Sequence, residues 1–206
     1  MRGSAAWLYG ALGGAALIVG GIAWYERMHL PRPVSSGPLW PRLSAYPLFD
    51  AQGKAFSLSP LQNRVVVLAF IYTRCSSVCP RLSTTMRDLL AGIDQDAPAA
   101  ALSISLDPAR DTGAILTTYA FAYAVPGRLW YYVRPESQSH AFLLAREVFG
   151  LTAAKLPGQE DILHNDAFFL ISCAGEVYGP YTSTDFDKAQ KHLQKLIRLC
   201  EESSAG

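Results

Sequence analysis

Chemistry first becomes legible at Tyr72-Thr73-Arg74-Cys75-Ser76-Ser77-Val78-Cys79-Pro80, where two cysteines stand three residues apart. A thiolate is both a nucleophile and a soft metal ligand, so such a pair can exchange disulfides or bind an ion. Redox pairs of the thioredoxin type have two intervening residues, one fewer than here. In a regular helix, positions i and i+4 hold their Cβ atoms about 5–6 Å apart, whereas a disulfide needs about 3.5–4.5 Å. The wider spacing suits two thiolates converging on one ion and leaves a looser disulfide open. Thiolates joined by one imidazole favour Cu(I), and the mixed set also holds Cu(II). A closed structural zinc site takes four protein ligands, and the sequence offers no second closely spaced Cys or His pair.

The elements that must position this pair follow from the flanking pattern. Val65 to Tyr72 is apolar on both faces, as a central buried strand would be. Pro80 disfavours helical geometry at Cys79 and suits a first helical position, so Cys79 is predicted as N-cap and Pro80 as the first helical residue. The cysteine loop then lies outside the helix, near the positive end of its dipole, where a thiol's pKa falls. Leu82, Met86, Leu89, Leu90 and Ile93 mark the helix's apolar face. Met86 belongs to that packing stripe.

A second buried strand, Ala100 to Leu106, runs into Asp107-Pro108-Ala109-Arg110-Asp111-Thr112. Two carboxylates flanking an arginine invite a catalytic reading, but a structural one is favoured. Asp111 caps the helix marked by Ile115, Leu116, Tyr119, Ala120 and Tyr123, and Arg110 fixes the loop. Next come a strand over Leu129 to Val133 and a helix over Ser139 to Phe149 closed by Gly150. A polar loop with Pro157 and Gly158 leads to His164, followed by strands Ala167 to Cys173 and Glu176 to Tyr181 around Ala174-Gly175. The last helix carries Phe186, Ala189, Leu193, Leu196, Ile197 and Cys200 on one face. A small hairpin, Tyr46 to Phe49 and Ala55 to Leu58, precedes all of this. The order predicts an α/β fold: a thioredoxin-like domain with a leading β-hairpin and a central mixed sheet flanked by helices.

A net charge of +1 over 206 residues gives no support to a nucleic-acid surface. Gly3 to Tyr25 contains no charged residue, which is long enough to span a hydrocarbon core of about 30 Å. Trp7, Tyr9, Trp24 and Tyr25 fall near its ends as an aromatic belt would. With no clean A-x-A cleavage pattern, one uncleaved N-terminal transmembrane helix over about residues 5–25 is favoured over a signal peptide. The organisation expected is an anchor over 1–29, a Pro-rich linker over 30–42, the folded domain over 43–200 and a tail over 201–206. No Arg/Ser-rich transit segment precedes the span, which favours a single-pass protein of the bacterial inner membrane.

YTRCSSVCP with Leu82 and Met86, SLDPARDT over Ser105 to Thr112, and His164 followed by FFLI and Gly175 together resemble the Sco/SenC proteins, the synthesis-of-cytochrome-oxidase copper chaperones. The resemblance covers about residues 44–199. It implies a thioredoxin-like fold facing the periplasm and copper, Cu(I) or Cu(II), bound by Cys75, Cys79 and His164. It also implies a role in maturing the dinuclear copper centre (CuA) of cytochrome c oxidase subunit II, with a periplasmic copper donor and a thiol reductant as further partners. The resemblance thus implies a metallochaperone rather than a turnover enzyme. The alternative is a thiol-disulfide reductase that uses Cys75 and Cys79 to reduce the acceptor's cysteines; no proline directly precedes Ala167, where thioredoxins carry their cis-proline. A peroxiredoxin-like peroxidase is a third option. The chain departs from the family pattern at Leu163, where an aspartate is common. Such a carboxylate orients a ligating imidazole, so its absence is expected to lower Cu(II) affinity unless Asp161 or Asp166 substitutes. Cys173 is expected either to be a buried free thiol or to pair with Cys200 in an oxidising compartment.

Overall fold

The computed structural model describes residues 32–34, 37–155, 158 and 161–204. The expected transmembrane helix over 5–25 lies outside the described residues. Among those described, no helix is long and apolar enough to cross a membrane. The fold belongs to one compact unit, Pro33–Gly206.

Its centre is a six-stranded sheet. β1 (Leu48–Phe49) lies at one edge, followed by β4 (Leu129–Pro135), β3 (Ala99–Ser105), β2 (Val65–Ile71), β7 (Phe168–Ile171) and β8 (Val177–Tyr181). β2, β3 and β4 run parallel, whereas β1, β7 and β8 each run antiparallel to their inner neighbour. Every residue of β2 and β3 is buried, because helices cover both faces and leave no polar alternation to satisfy. α2 (Val78–Ala91), α3 (Gly113–Tyr123) and α5 (Phe186–Ser204) form one layer, and α1 (Leu39–Leu43) and α4 (Gln138–Phe149) pack together elsewhere on the sheet. α2 buries Leu82, Met86, Leu89 and Leu90 as the 3.6-residue period requires; Ile93 lies beyond the helix end. α5 buries Ala189, Leu193, Leu196, Ile197 and Cys200.

Three features differ from the sequence expectations. Within the Pro-rich stretch expected as a linker over 30–42, described residues bond to the fold: Val34 N–H donates to the Val177 carbonyl at 2.8 Å, and Leu39 N–H donates to the Gly175 carbonyl at 2.7 Å. Leu39 and Leu43 of α1 are fully buried, so apolar burial overrides the composition signal there. The leading hairpin shrinks to one bridge between Phe49 and Ala55, and β1 instead extends the sheet beside β4. Asp50 Oδ1 accepts from the N–H groups of Gln52 and Lys54, which closes a tight turn between strands too short to pair further. The segment between α4 and β7, read as a loop, forms a second antiparallel pair, β5 (Ala153–Lys155) with β6 (Ile162–His164).

Candidate metal centre

Parallel strands place their following loops at one edge of the sheet, where open α/β folds hold their ligands. The loops after β2 and β3 meet there, joined by Leu106 N–H donating to the Ile71 carbonyl at 2.7 Å. Cys75 lies in the first of these loops. Its N–H turns back to the Tyr72 carbonyl at 3.1 Å, which ends the extended chain.

Cys79 does not cap the helix. α2 begins at Val78 with Ser77 as N-cap, so Cys79 and Pro80 both sit in the first turn. Proline is tolerated throughout that turn because the first N–H groups have no intrahelical partner. The Ser77 side chain makes no cap bond. The Cys75 sulfur fills that role instead, accepting the Cys79 N–H at 3.3 Å.

His164 arrives from the other half of the domain. Phe149 packs against Phe70 and Phe169 with ring centroids 5.3 and 5.0 Å away, which seats the end of α4 on β2 and β7. Gly150, in the left-handed region at φ 66°, turns the chain into the β5–β6 pair. His164 ends β6 opposite Ala153. The Asn165 carbonyl lies 2.9 Å from His164 Nδ1. A carbonyl can only accept, so Nδ1 donates to it, and Nε2 faces Cys79 Sγ at 3.4 Å. The Asn165 side chain accepts Thr152 N–H at 2.7 Å and ties this end of the hairpin down. Tyr72 meets the imidazole edge-on, with centroids 5.5 Å apart.

The three expected ligand residues therefore converge. Cys75 Sγ, Cys79 Sγ and a His164 ring nitrogen lie within 4.8 Å of one another, a group able to hold a metal ion. Cys79 is fully buried, Cys75 is 6% exposed and His164 is half-buried, so the imidazole is the most exposed of the three. His140 lies on α4, and His192 on α5 bonds Tyr181 Oη through Nδ1 at 2.7 Å. Neither joins the group.

The sulfurs are electrostatically unequal. Cys75 is held far below the ordinary thiol range by a hydrogen bond from the Cys79 thiol, with further help from His164 and the N–H groups of Cys79 and Ser77, against the opposing effect of burial. Cys79 is pushed up by that same bond to Cys75 and by burial. Burial, with the nearby Cys75 charge, raises Tyr72 well above its usual value, so its phenol stays neutral.

Two sequence readings need correction here. Asp111 is not a helix cap: Thr112 occupies that position, and the Asp111 carboxylate turns inward to Thr73 and Ser105. Leu163 does not deprive His164 of its orienting partner. Side chains alternate along a strand, and Leu163 is 53% exposed whereas Ile162 is buried, so position 163 faces away from the thiols. Asp166 does not substitute, since its carboxylate holds Ser183. The Asn165 backbone orients the imidazole, and a carbonyl acting through backbone geometry leaves no residue-type signal to read in advance.

A thioredoxin-like domain with two thiols and an imidazole at the carboxyl edge of its parallel strands defines the class. The family model described as SCO1/SenC matches residues 41–201, and the chain belongs to that family. It is 26% identical over 149 residues to the SCO1 protein homolog of Bacillus subtilis (strain 168), covering 72% of this chain and 77% of that one. The structure of a SCO1/SenC family lipoprotein from Bacillus anthracis str. Ames superposes with a TM-score of 0.69 at 21% identity, covering 81% of this chain and 98% of that one. Arabidopsis thaliana ScoI with copper bound gives a TM-score of 0.63 at 21% identity, covering 74% and 96%.

Proposed function

We propose that Cys75, Cys79 and His164 bind copper, and that the chain is a membrane-anchored chaperone that delivers it to, or helps mature, the CuA centre of cytochrome c oxidase subunit II. The observation that carries this reading is the convergence of two sulfurs and one imidazole nitrogen within 4.8 Å. Copper fits the donor set: two soft thiolates and a neutral imidazole match Cu(I) and tolerate Cu(II), and three donors leave room for an incoming ligand. Copper is cargo here, so release matters as much as capture. The thiolate of Cys75, held by N–H donors, takes the ion first. Cys79 gives up its proton on binding, and the imidazole completes the set from Nε2. An acceptor's thiolate then enters from the half-buried His164 side and displaces these ligands one at a time. Membership of the SCO1/SenC family and likeness to a copper-bound ScoI support the assignment. The uncharged stretch Gly3 to Tyr25 supports an anchor in the bacterial inner membrane, with the folded domain facing the periplasm.

Copper titration of the reduced full-length chain, with X-ray absorption counting sulfur and nitrogen ligands, is expected to give one copper with two sulfurs and one nitrogen. A reduced chain that binds no copper stoichiometrically rejects the proposal. The asymmetry between a low-pKa Cys75 and a proton-holding Cys79 is also what an attacking and a resolving thiol require, which supports reduction of the acceptor's cysteines as the second reading. His164→Ala separates the two. It is expected to abolish the Cu(II)–thiolate spectrum if the site binds copper, and to leave disulfide exchange intact if the site is a reductase.

A further inference from the structure

We infer that Asp111 is the positioning residue of the copper site, acting through Thr73 on the loop that carries Cys75; this rests on the copper reading above. Asp111 is fully buried, yet it does not cap α3. Its carboxylate is engaged by the donors of the site's own loop. Oδ1 accepts both the backbone N–H of Thr73 at 3.2 Å and the Thr73 hydroxyl at 2.6 Å. Oδ2 accepts the hydroxyl of Ser105 at 2.5 Å, and Ser105 Oγ in turn accepts the Asp107 N–H at 3.0 Å.

Two bonds from one residue to one carboxylate oxygen fix both the position and the orientation of Thr73. Thr73 is where the chain leaves β2, and Arg74 alone separates it from Cys75. The Cys75 N–H is tied to the residue just before Thr73. The loop thus has little freedom left between its buried anchor and its first thiolate. The anchor is packed in turn: a Cβ on Gly113 would overlap the Ala51 carbonyl oxygen, so the end of the 107–113 loop lies close against the Asp50–Gly53 turn. A chelating pair is held ready when its loop is fixed before the ion arrives, and partners that orient ligands typically change metal affinity by about 10–100-fold. The motif SLDPARDT therefore serves the metal site from one residue's distance, without touching the ion.

The test uses the reduced full-length chain, Cu(I) alone as probe against a chromophoric chelator, and the Cu(II)–thiolate charge-transfer band as a second readout. Thr73→Val keeps the shape and removes one donor to Asp111; it is expected to weaken Cu(I) binding about tenfold and to displace the band. Asp111→Ala is expected to do both more strongly. Asp111→Asn is expected to stay within about threefold of wild type, because an amide oxygen still accepts from Thr73 and its NH2 group donates to Ser105. If Asp111→Ala does not fold, Thr73→Val decides alone. Variants with a lowered unfolding midpoint but wild-type affinity and band would assign Asp111 to fold stability and overturn the inference while leaving the copper reading intact. A wild-type chain that binds no copper overturns both.

Discussion

The four cysteines form two pairs at opposite ends of β2, in different chemical states. Cys75 and Cys79 are free thiols beyond its carboxyl end. Cys173 and Cys200 form a disulfide, Cα atoms 5.9 Å apart, near its amino end, where Cys200 Sγ lies 3.6 Å from the Asn63 carbonyl. The seven residues of β2 span about 20 Å between these ends. Position explains the contrast. The first pair sits where a helix starts, with N–H groups directed at a sulfur, so a thiolate is stabilised. The second pair joins the β7–β8 turn to the last turns of α5, 27 residues apart in sequence, and clamps that helix to the sheet. Sulfur of one kind thus does two jobs according to which end of the sheet it occupies.

The sharpest break of this comparison is mutational. Cys75→Ser or Cys79→Ser is expected to abolish stoichiometric Cu(I) binding, because each removes one of only two soft donors. Replacing Cys173 and Cys200 by Ser is expected to leave copper binding unchanged and to lower the unfolding free energy by about 3 kcal/mol, measured by urea titration. Loss of copper from the second variant would show that the pairs are not independent.

A smaller effect concerns protons. Cys75 is depressed and Cys79 raised, so the reduced, metal-free pair holds one thiolate across neutral pH. The stability contributed by Cys75 is present above its unfolded value of about 8.5 and is lost as pH falls through its depressed value; that of Cys79 is present below about 8.5 and is lost as pH rises. Alkylation of Cys75 by iodoacetamide should therefore keep its rate between about pH 8 and about pH 6, where an ordinary thiol slows roughly a hundredfold. A rate that falls with the thiolate fraction of an ordinary cysteine would remove the asymmetry.

The smallest expected effect is at Leu163. Because this side chain faces away from the thiols, Leu163→Asp is expected to change Cu(II) affinity by less than about threefold, by competition titration. A larger gain would mean that the Asn165 carbonyl orients His164 poorly.

Much of the fold was legible in the sequence because its signals are local. β2 and β3 announce themselves as apolar runs, α2 and α5 by their 3.6-residue period, and the end of α4 by Gly150. Cys75 and Cys79 are visible by spacing alone, whereas His164 is one candidate among four histidines by its place before a closing strand and becomes the expected ligand through family resemblance. The failures share a cause. Capping preferences misassign Cys79 and Asp111 because other partners supply what the cap would have supplied: the sulfur of Cys75, four residues back, at the helix start, and Thr73 and Ser105 for the carboxylate. The β5–β6 pair escaped notice because three-residue strands carry too short a pattern to register.

By itself the sequence determined which residues could do chemistry and which elements would carry them, since residue type, spacing and hydrophobic period are properties of the chain. Only the tertiary structure decided that His164 meets the two thiols, that Leu163 turns away from them, that Asp111 reaches Thr73, and that Cys173 bonds Cys200. Each of these joins residues far apart in sequence or depends on the face a strand presents, and such distances and directions exist only once the sheet has formed.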